Sequence, residues 1–231
     1  ADSFETTCRA MRRYRQLAIL RIAVRDIVDY APVESVTEEL ANLADAMLEA
    51  ALTASLPDLE ARFGKPRAGN AEECHATFVV FAMGKLGGRE LNFSSDIDLL
   101  FLYSHDGETH GGRSGSITNE AFFCKLGERI IKAMSEPGPD GYVFRVDMRL
   151  RPHGRSGALA VALENALAYY TSFGRAWERQ AMIKARPCAG DCALGETFLE
   201  RLRPFVFPKY FDDGTLEDIR ETKAQTEAAI E

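Results

Sequence analysis

"MGKLGGRELNFSSDIDLLF", residues 83–101, joins a glycine-rich stretch with one lysine to two aspartates one residue apart, at the head of the most strand-like apolar run in the chain. A strand turns alternate side chains to the same face, so Asp96 and Asp98 share one, and Leu100 and Leu102 carry that face on into the interior. Both carboxylates then stand at the strand's mouth. Two like charges so close repel unless a cation lies beside them. Aspartate is common in turns, and the plain structural reading makes Asp96 a turn cap and Asp98 a surface residue. The glycines before the pair and a cationic strand after it tip the balance toward chemistry.

Gly84, Gly87 and Gly88 permit tight backbone geometry and close approach of a phosphate to N–H groups, while Lys85 supplies a mobile positive charge. The stretch is not a P-loop, because the Gly-Lys-Ser/Thr ending is missing, and it is not the dinucleotide fingerprint. Further on, "YVFRVDMRL", residues 142–150, alternates like a strand. Tyr142, Phe144, Val146, Met148 and Leu150 take one face; Val143, Arg145, Asp147, Arg149 and then Arg151 take the other. Asp147 is a third carboxylate for the pair if the two strands are neighbours. Three carboxylates without histidine or thiolate suit Mg²⁺ or Mn²⁺ better than Zn²⁺. Such ions neutralise phosphate oxygens and align nucleophile and leaving group in phosphoryl-type transfer.

The 231 residues, 46% hydrophobic, are enough for a sizeable core. Against 28 basic residues stand 35 acidic ones, a formal charge of -7, which argues against broad nucleic-acid backbone binding. Basic residues gather in two places: Arg9, Arg12, Arg13, Arg15, Arg21 and Arg25, and again Arg145, Arg149, Arg151 and Arg155. The five cysteines, Cys8, Cys74, Cys124, Cys188 and Cys192, show neither disulfide nor zinc spacing and fit a reducing, cytoplasmic setting. No run approaches the roughly 18 apolar residues of a membrane span. Both ends are helix-like, as expected of a fragment of something longer.

Residues 6–30 repeat Met11, Tyr14, Leu17, Ala18, Arg21 and Ile22 at helical spacing, with arginines read as coating the wet face. A second helix follows, with a possible capping box at Ser35 and Glu38 and an apolar stripe through Leu40, Leu43, Met47 and Leu48. Residues 62–76 read as a surface connection. "TFVVFAM" and "IDLLFLY" are strands, "NEAFFCKLGERIIKAM" is a helix, residues 164–187 are helices closed by Pro187, and a helical tail begins near Thr215. Trp177 is assigned to the core, and Ser94 and Ser95 to a turn. The four histidines lack ligand spacing. Lys184 and Arg186 could reach a phosphate or could end a helix favourably. The plan is α+β: a helical segment over 1–75, a catalytic core over 76–160, and a helical segment over 161–231 completing the domain.

The stretch from Gly84 to Phe101 resembles the nucleotidyltransferase motif of the polymerase-β type, in which Gly-Ser precedes a helix and then Asp-x-Asp. Gly84 and Lys85 stand at the Gly-Ser positions, Asp96 and Asp98 at the metal-binding pair, and Asp147 at the later third carboxylate. Lysine in place of serine is a departure. With "YVFRVDMRLRPHGRSGALA" and "WERQAMIKARPCAGD" the resemblance narrows to the bifunctional glutamine synthetase adenylyltransferase/adenylyl-removing enzymes, and it covers nearly all 231 residues. That family carries two related nucleotidyltransferase domains, and "ELNFSSDIDLLF", "FRVDMRLRPHGRSG" and "MIKARPCAGD" resemble the N-terminal, adenylyl-removing copy.

The resemblance implies a polymerase-β-like core with a mixed sheet and phosphorolysis of adenylyl-tyrosine on glutamine synthetase. Inorganic phosphate would be the nucleophile and ADP the product. It further implies Mg²⁺ or Mn²⁺ on catalytic Asp96, Asp98 and Asp147. Phosphate or nucleotide would be bound by Gly84, Lys85, Gly87, Gly88, Arg149, Arg151 and Arg155. In the parent enzyme, control falls to the PII signal protein in its uridylylated form, with no nucleic-acid or membrane partner. The residues alone leave two alternatives standing: ATP-dependent adenylyl transfer onto the same tyrosine, and a non-catalytic protein-binding module of the same fold.

Overall fold

The computed structural model describes residues 3–69, 74–210 and 213–228. In chain order the elements are α1 (Ser3–Val28), α2 (Val33–Phe63), β1 (Gly64–Pro66), β2 (Phe78–Ala82), the single turn α3 (Gly84–Gly87), β3 (Ile97–Tyr103), β4 (Thr109–Gly111) and α4 (Asn119–Ser135). Then come β5 (Val146–Asp147), a 3₁₀ turn (Gly154–Ser156), β6 (Ala160–Ala162), α5 (Leu163–Phe173), α6 (Ala176–Met182), β7 (Arg186–Gly190), α7 (Cys192–Val206) and α8 (Asp213–Ala228).

The apolar, β-branched and aromatic runs predicted as strands form the centre of a mixed five-stranded sheet, so the fold is α+β. β2 and β3 pair antiparallel, with Phe78 opposite Tyr103 and Ala82 opposite Leu99. β7 pairs antiparallel with the far edge of β2, with an irregularity between Val80 and Phe81. Along the other edge of β3, β5 joins at Ile97–Asp98 and β6 at Phe101–Tyr103, both parallel.

Strand alternation sorts the core into two halves. Ile97, Leu99, Phe101 and Tyr103 of β3, with Phe78, Val80 and Ala82 of β2, pack beneath α1, α2 and α4. Leu100 and Leu102, with Val79, Phe81 and Met83, face α5, α6 and α7. The face expected to continue from the aspartate pair is therefore the one that meets α5 to α7. No helix among the described residues is long and apolar enough to cross a membrane.

Several local expectations give way to tertiary context. On α1, Met11 and Ile22 are buried, but Tyr14 and Leu17 are 61% and 69% exposed. The arginines of that helix are more than a solvent coat, although Arg9, Arg13 and Arg21 stay largely exposed. Arg12 is buried, Arg9 and Arg13 lie 3.5 and 3.4 Å from Asp140, and Arg15 covers the rings of Tyr142 and Phe144. Together they dock the turn at 136–141 onto α1. The second helix starts at Val33 with Pro32 as its cap instead of a Ser35 capping box, and the Ser35 N–H donates to the Pro32 carbonyl at 2.9 Å. Proline's fixed φ suits a helix entrance.

Only Val146 and Asp147 of the expected long strand are paired. Val143 and Phe144 are both buried and both donate to the Met134 carbonyl at 2.9 Å, which breaks the alternation. Arg186 and Pro187, read as the close of a helix, open β7 instead, which runs Arg186–Gly190. Gly64–Pro66, within the stretch read as a surface connection, pairs as β1 with β4. Trp177, assigned to the core, is 38% exposed.

Candidate active site

Because β5 runs parallel to β3, Asp98 and Asp147 are register partners on adjacent strands. The Ile97 N–H donates to the Arg145 carbonyl at 2.9 Å and fixes that register just below the carboxylates. The glycine turn closes in from the other side. Met83 N–H donates to the Asp98 carbonyl at 2.9 Å, and Gly84, at φ +53°, lies so close that a Cβ there would stand 2.6 Å from Asp98 Oδ2. Glycine is required at that position twice over, for the left-handed backbone and for the space.

Electrostatics distinguish the three aspartates. Burial, then the neighbouring charges of Asp147 and Asp96, push the Asp98 carboxyl above its ordinary range, against the pull of Arg149 and Lys85. Hydrogen bonds from Arg149 hold Asp147 below its ordinary range. The Arg149 N–H and Nε–H donate to Asp147 at 2.8 and 2.6 Å. Asp96, half exposed, is engaged by Arg145, which also reaches the Ser94 carbonyl at 2.6 Å and the Tyr142 hydroxyl at 3.1 Å. Asp98 is the one carboxylate of the three without an arginine hydrogen-bonded to it.

An open cleft of about 430 Å³ lies over this group, with Lys85, Asn92 and Ser95 at its rim beside the three aspartates. It adjoins a second of about 450 Å³ that runs past Arg149 to Arg151 and Arg155. The donor set is all oxygen, and the backbone brings it to one strand end, which fits a hard divalent cation. As the side chains stand, Arg145 and Arg149 draw Asp96 and Asp147 aside, and no group of three possible ligands among the described residues is close enough to hold a metal. Binding one requires those two carboxylates to turn from guanidinium to ion, a rotamer change on groups at the cleft surface.

The other predicted site residues divide. Lys85 is at the cleft. Gly87 is spent on packing: a Cβ there would come within 2.1 Å of the Lys184 carbonyl. Gly88 sits against the Lys184 side chain and Glu90. Arg151 borders the second cleft but donates to three carbonyls, those of Met148 (2.8 Å), Gly157 (3.2 Å) and Arg155 (3.2 Å), so it shapes the loop that carries Arg149 and Arg155. His153 in that loop meets Tyr169 edge to face, and the Tyr169 hydroxyl donates to the buried Glu178 at 2.8 Å. Lys184 pairs with Glu90 and Arg186 with Asp45, so neither faces the cleft. Sequence reasoning placed Arg145 on the face of Asp147 without giving it a role, and put Tyr142 on the opposite, apolar face, whereas its hydroxyl meets Arg145. It missed Asn92, whose place in the connection between glycine turn and aspartates was the available signal.

Comparison with known proteins adds the following. The family model described as glutamate-ammonia ligase adenylyltransferase matches residues 1–201. A bifunctional glutamine synthetase adenylyltransferase/adenylyl-removing enzyme of Hahella chejuensis is 45% identical over 225 residues, covering 96% of this chain and 23% of the relative. Similarly named proteins of Nitrosococcus oceani and Pseudomonas putida are 44% and 45% identical, covering 93% and 96% of this chain. The chain thus spans under a quarter of the length of these relatives.

Proposed function

Because the chain belongs to the glutamate-ammonia ligase adenylyltransferase family, we propose that its carboxylate cleft removes the adenylyl group from a tyrosine of glutamine synthetase by phosphorolysis. An oxygen of inorganic phosphate forms a bond to the adenylyl phosphorus, the bond to the tyrosine oxygen breaks, and ADP leaves. The phenolate takes its proton from solvent. The observation that carries this reading is the pairing of Asp98 with Asp147 across β3 and β5, directly against Gly84 and with Arg149 and Arg155 along the adjoining cleft.

Asp96, Asp98 and Asp147 are the residues to hold Mg²⁺ or Mn²⁺, and a bound ion would supply charge neutralisation at the adenylyl phosphorus and at the leaving oxygen. The raised carboxyl of Asp98 expresses the same demand for positive charge. Arg149 and Arg155, at the second cleft, draw in phosphate and screen its repulsion from the adenylyl group. Arg151 holds the loop that presents them. Lys85 and the Gly84 backbone face the nucleotide phosphate. Phosphate is anionic near neutral pH, so the cleft has no need of a strong general base. On this reading the chain is the adenylyl-removing copy of a longer cytoplasmic protein. Its partners are adenylylated glutamine synthetase, phosphate, ADP and the uridylylated PII protein.

The test supplies adenylylated glutamine synthetase with phosphate and Mg²⁺ or Mn²⁺ and measures ADP. In parallel, unmodified glutamine synthetase is supplied with ATP and pyrophosphate is measured. ADP release that is lost in Asp96→Asn and Asp98→Asn supports removal. Pyrophosphate without ADP reverses the direction. Neither product, with a folded chain, leaves a binding module.

A further inference from the structure

The turn that carries Lys85 cannot place itself. Residues 84–88 read Gly-Lys-Leu-Gly-Gly, and α3 is one turn of four residues. Glycine-rich sequence gains little from helix formation and loses more backbone entropy than any other when fixed. Contacts outside the turn hold α3 against Asp98: the Met83 N–H on the Asp98 carbonyl, the buried Leu86 side chain, and a cluster at the start of β7.

Arg186, at the start of β7, lies with most of its side chain buried. Its Nη1 is 2.8 Å from Asp45 Oδ2 and its Nη2 donates to Asp45 Oδ1 at 2.9 Å, a two-point pairing with α2. The same Nη2 donates to the Leu86 carbonyl of α3 at 3.1 Å. Two residues earlier, the Lys184 carbonyl fills the space a Gly87 side chain would take, and Lys184 Nζ reaches Glu90 just past the turn at 2.6 Å. α2, α3 and β7 meet at one guanidinium. A planar fork that engages both carboxylate oxygens fixes orientation as well as distance.

We infer that Arg186, oriented by Asp45, is a positioning residue for the cleft: it holds α3 so that Lys85 and the Gly84 backbone stand at Asp98. This rests on the adenylyl-removing reading only for the identity of the substrate; the mechanical claim concerns α3 itself. A shift of about 1 Å in a group that orients substrate lowers rate by up to about 10²-fold. Lysine at 186 keeps the charge but cannot make both contacts with Asp45 and the one with Leu86 together.

The first measurement is amide hydrogen exchange in Arg186→Lys, Arg186→Ala and Asp45→Asn. Exchange at Gly87, Gly88 and Glu90 should rise about 10-fold or more while β3 amides stay protected. Unchanged exchange in the turn overturns the inference, whatever the activity does. Exchange that rises equally throughout β3 also overturns it, since it makes Arg186 a general stabiliser. The second measurement is kinetic, with adenylylated glutamine synthetase and phosphate. Arg186→Lys should lower kcat/KM about 10- to 100-fold, the range for residues that support contacting groups. The loss should shrink to under about 3-fold when Lys85 is already alanine, because both changes remove one interaction. Full additivity of the two substitutions sinks the positioning role. A wild-type chain without ADP release, but with the expected exchange pattern, removes the substrate assignment and leaves the clamp standing.

Discussion

The two faces of the sheet grow from the same strands and end differently. Toward α1, α2 and α4, every odd-numbered residue of β3 from Ile97 to Tyr103 is buried, and Phe78, Phe101, Phe122 and Phe123 interlock there with ring centroids 5.4–5.5 Å apart. Toward α5, α6 and α7, Leu100 and Leu102 are equally buried, but the same row continues outward into Asp98 and Asp96 under an open cleft. One face is sealed along its length. The other is sealed only until the charged residues begin. Side-chain parity on one strand thus separates what stabilises the chain from what can act on a substrate, and each can be changed with little effect on its counterpart.

That separation can be broken first at Asp98. Asp98→Asn should lower phosphate-dependent ADP release by on the order of 10²–10³-fold, comparable to losing one preorganised electrostatic group. Because burial and two neighbouring carboxylates make the ionised form unfavourable in the folded chain, removing the charge takes away no stability near neutral pH. A thermal melt should show an equal or higher midpoint; a marked fall would mean that the charge is structural. On the sealed face, Phe101→Ala should lower unfolding free energy in urea by about 3–5 kcal/mol, with activity in the folded fraction unchanged. Gly127→Ala presses the same place from the opposite side, since its Cβ would stand 2.8 Å from the Phe101 ring. About 1–3 kcal/mol should be lost there by overpacking, again without effect on the phosphate KM.

The smallest effect sharpens the comparison at its boundary. Tyr169→Phe removes the hydroxyl that donates to Glu178 at 2.8 Å, beneath His153 of the arginine-bearing loop. Roughly 1 kcal/mol of stability should go, with a rise of a few fold in phosphate KM and little in kcat. A change in stability alone would detach that loop from the chemistry.

Much of this was legible in the sequence, for reasons that can be stated residue by residue. β3 could be read because six apolar or aromatic residues interrupted by one aspartate have few other places to go, and Asp98 itself marked the face that opens. The association of Asp147 with Asp98 could be posed but not settled, because parallel pairing depends on contacts far apart in sequence. β7 was hidden: "RPCAG" has neither alternation nor a branched residue, and becomes a strand only because β2 offers it an edge. Asp45 was hidden more deeply, one acid among many on α2 until Arg186 folds back onto it. Arg9, Arg12 and Arg13 of α1 were misread for the same reason, since the turn at 136–141 that they meet carries no local mark.

The late arrival of β7 has a consequence for synthesis. While the chain leaves the ribosome, β2 and β3 can form a hairpin early, yet the outer backbone of Phe78–Ala82 stays unpaired until residues 186–190 have cleared the exit tunnel. During that interval a short, wholly apolar strand is open to any neighbouring nascent chain. A premature stop anywhere before β7 would leave that hazard permanent, and shielding by a chaperone would matter most over that stretch of translation.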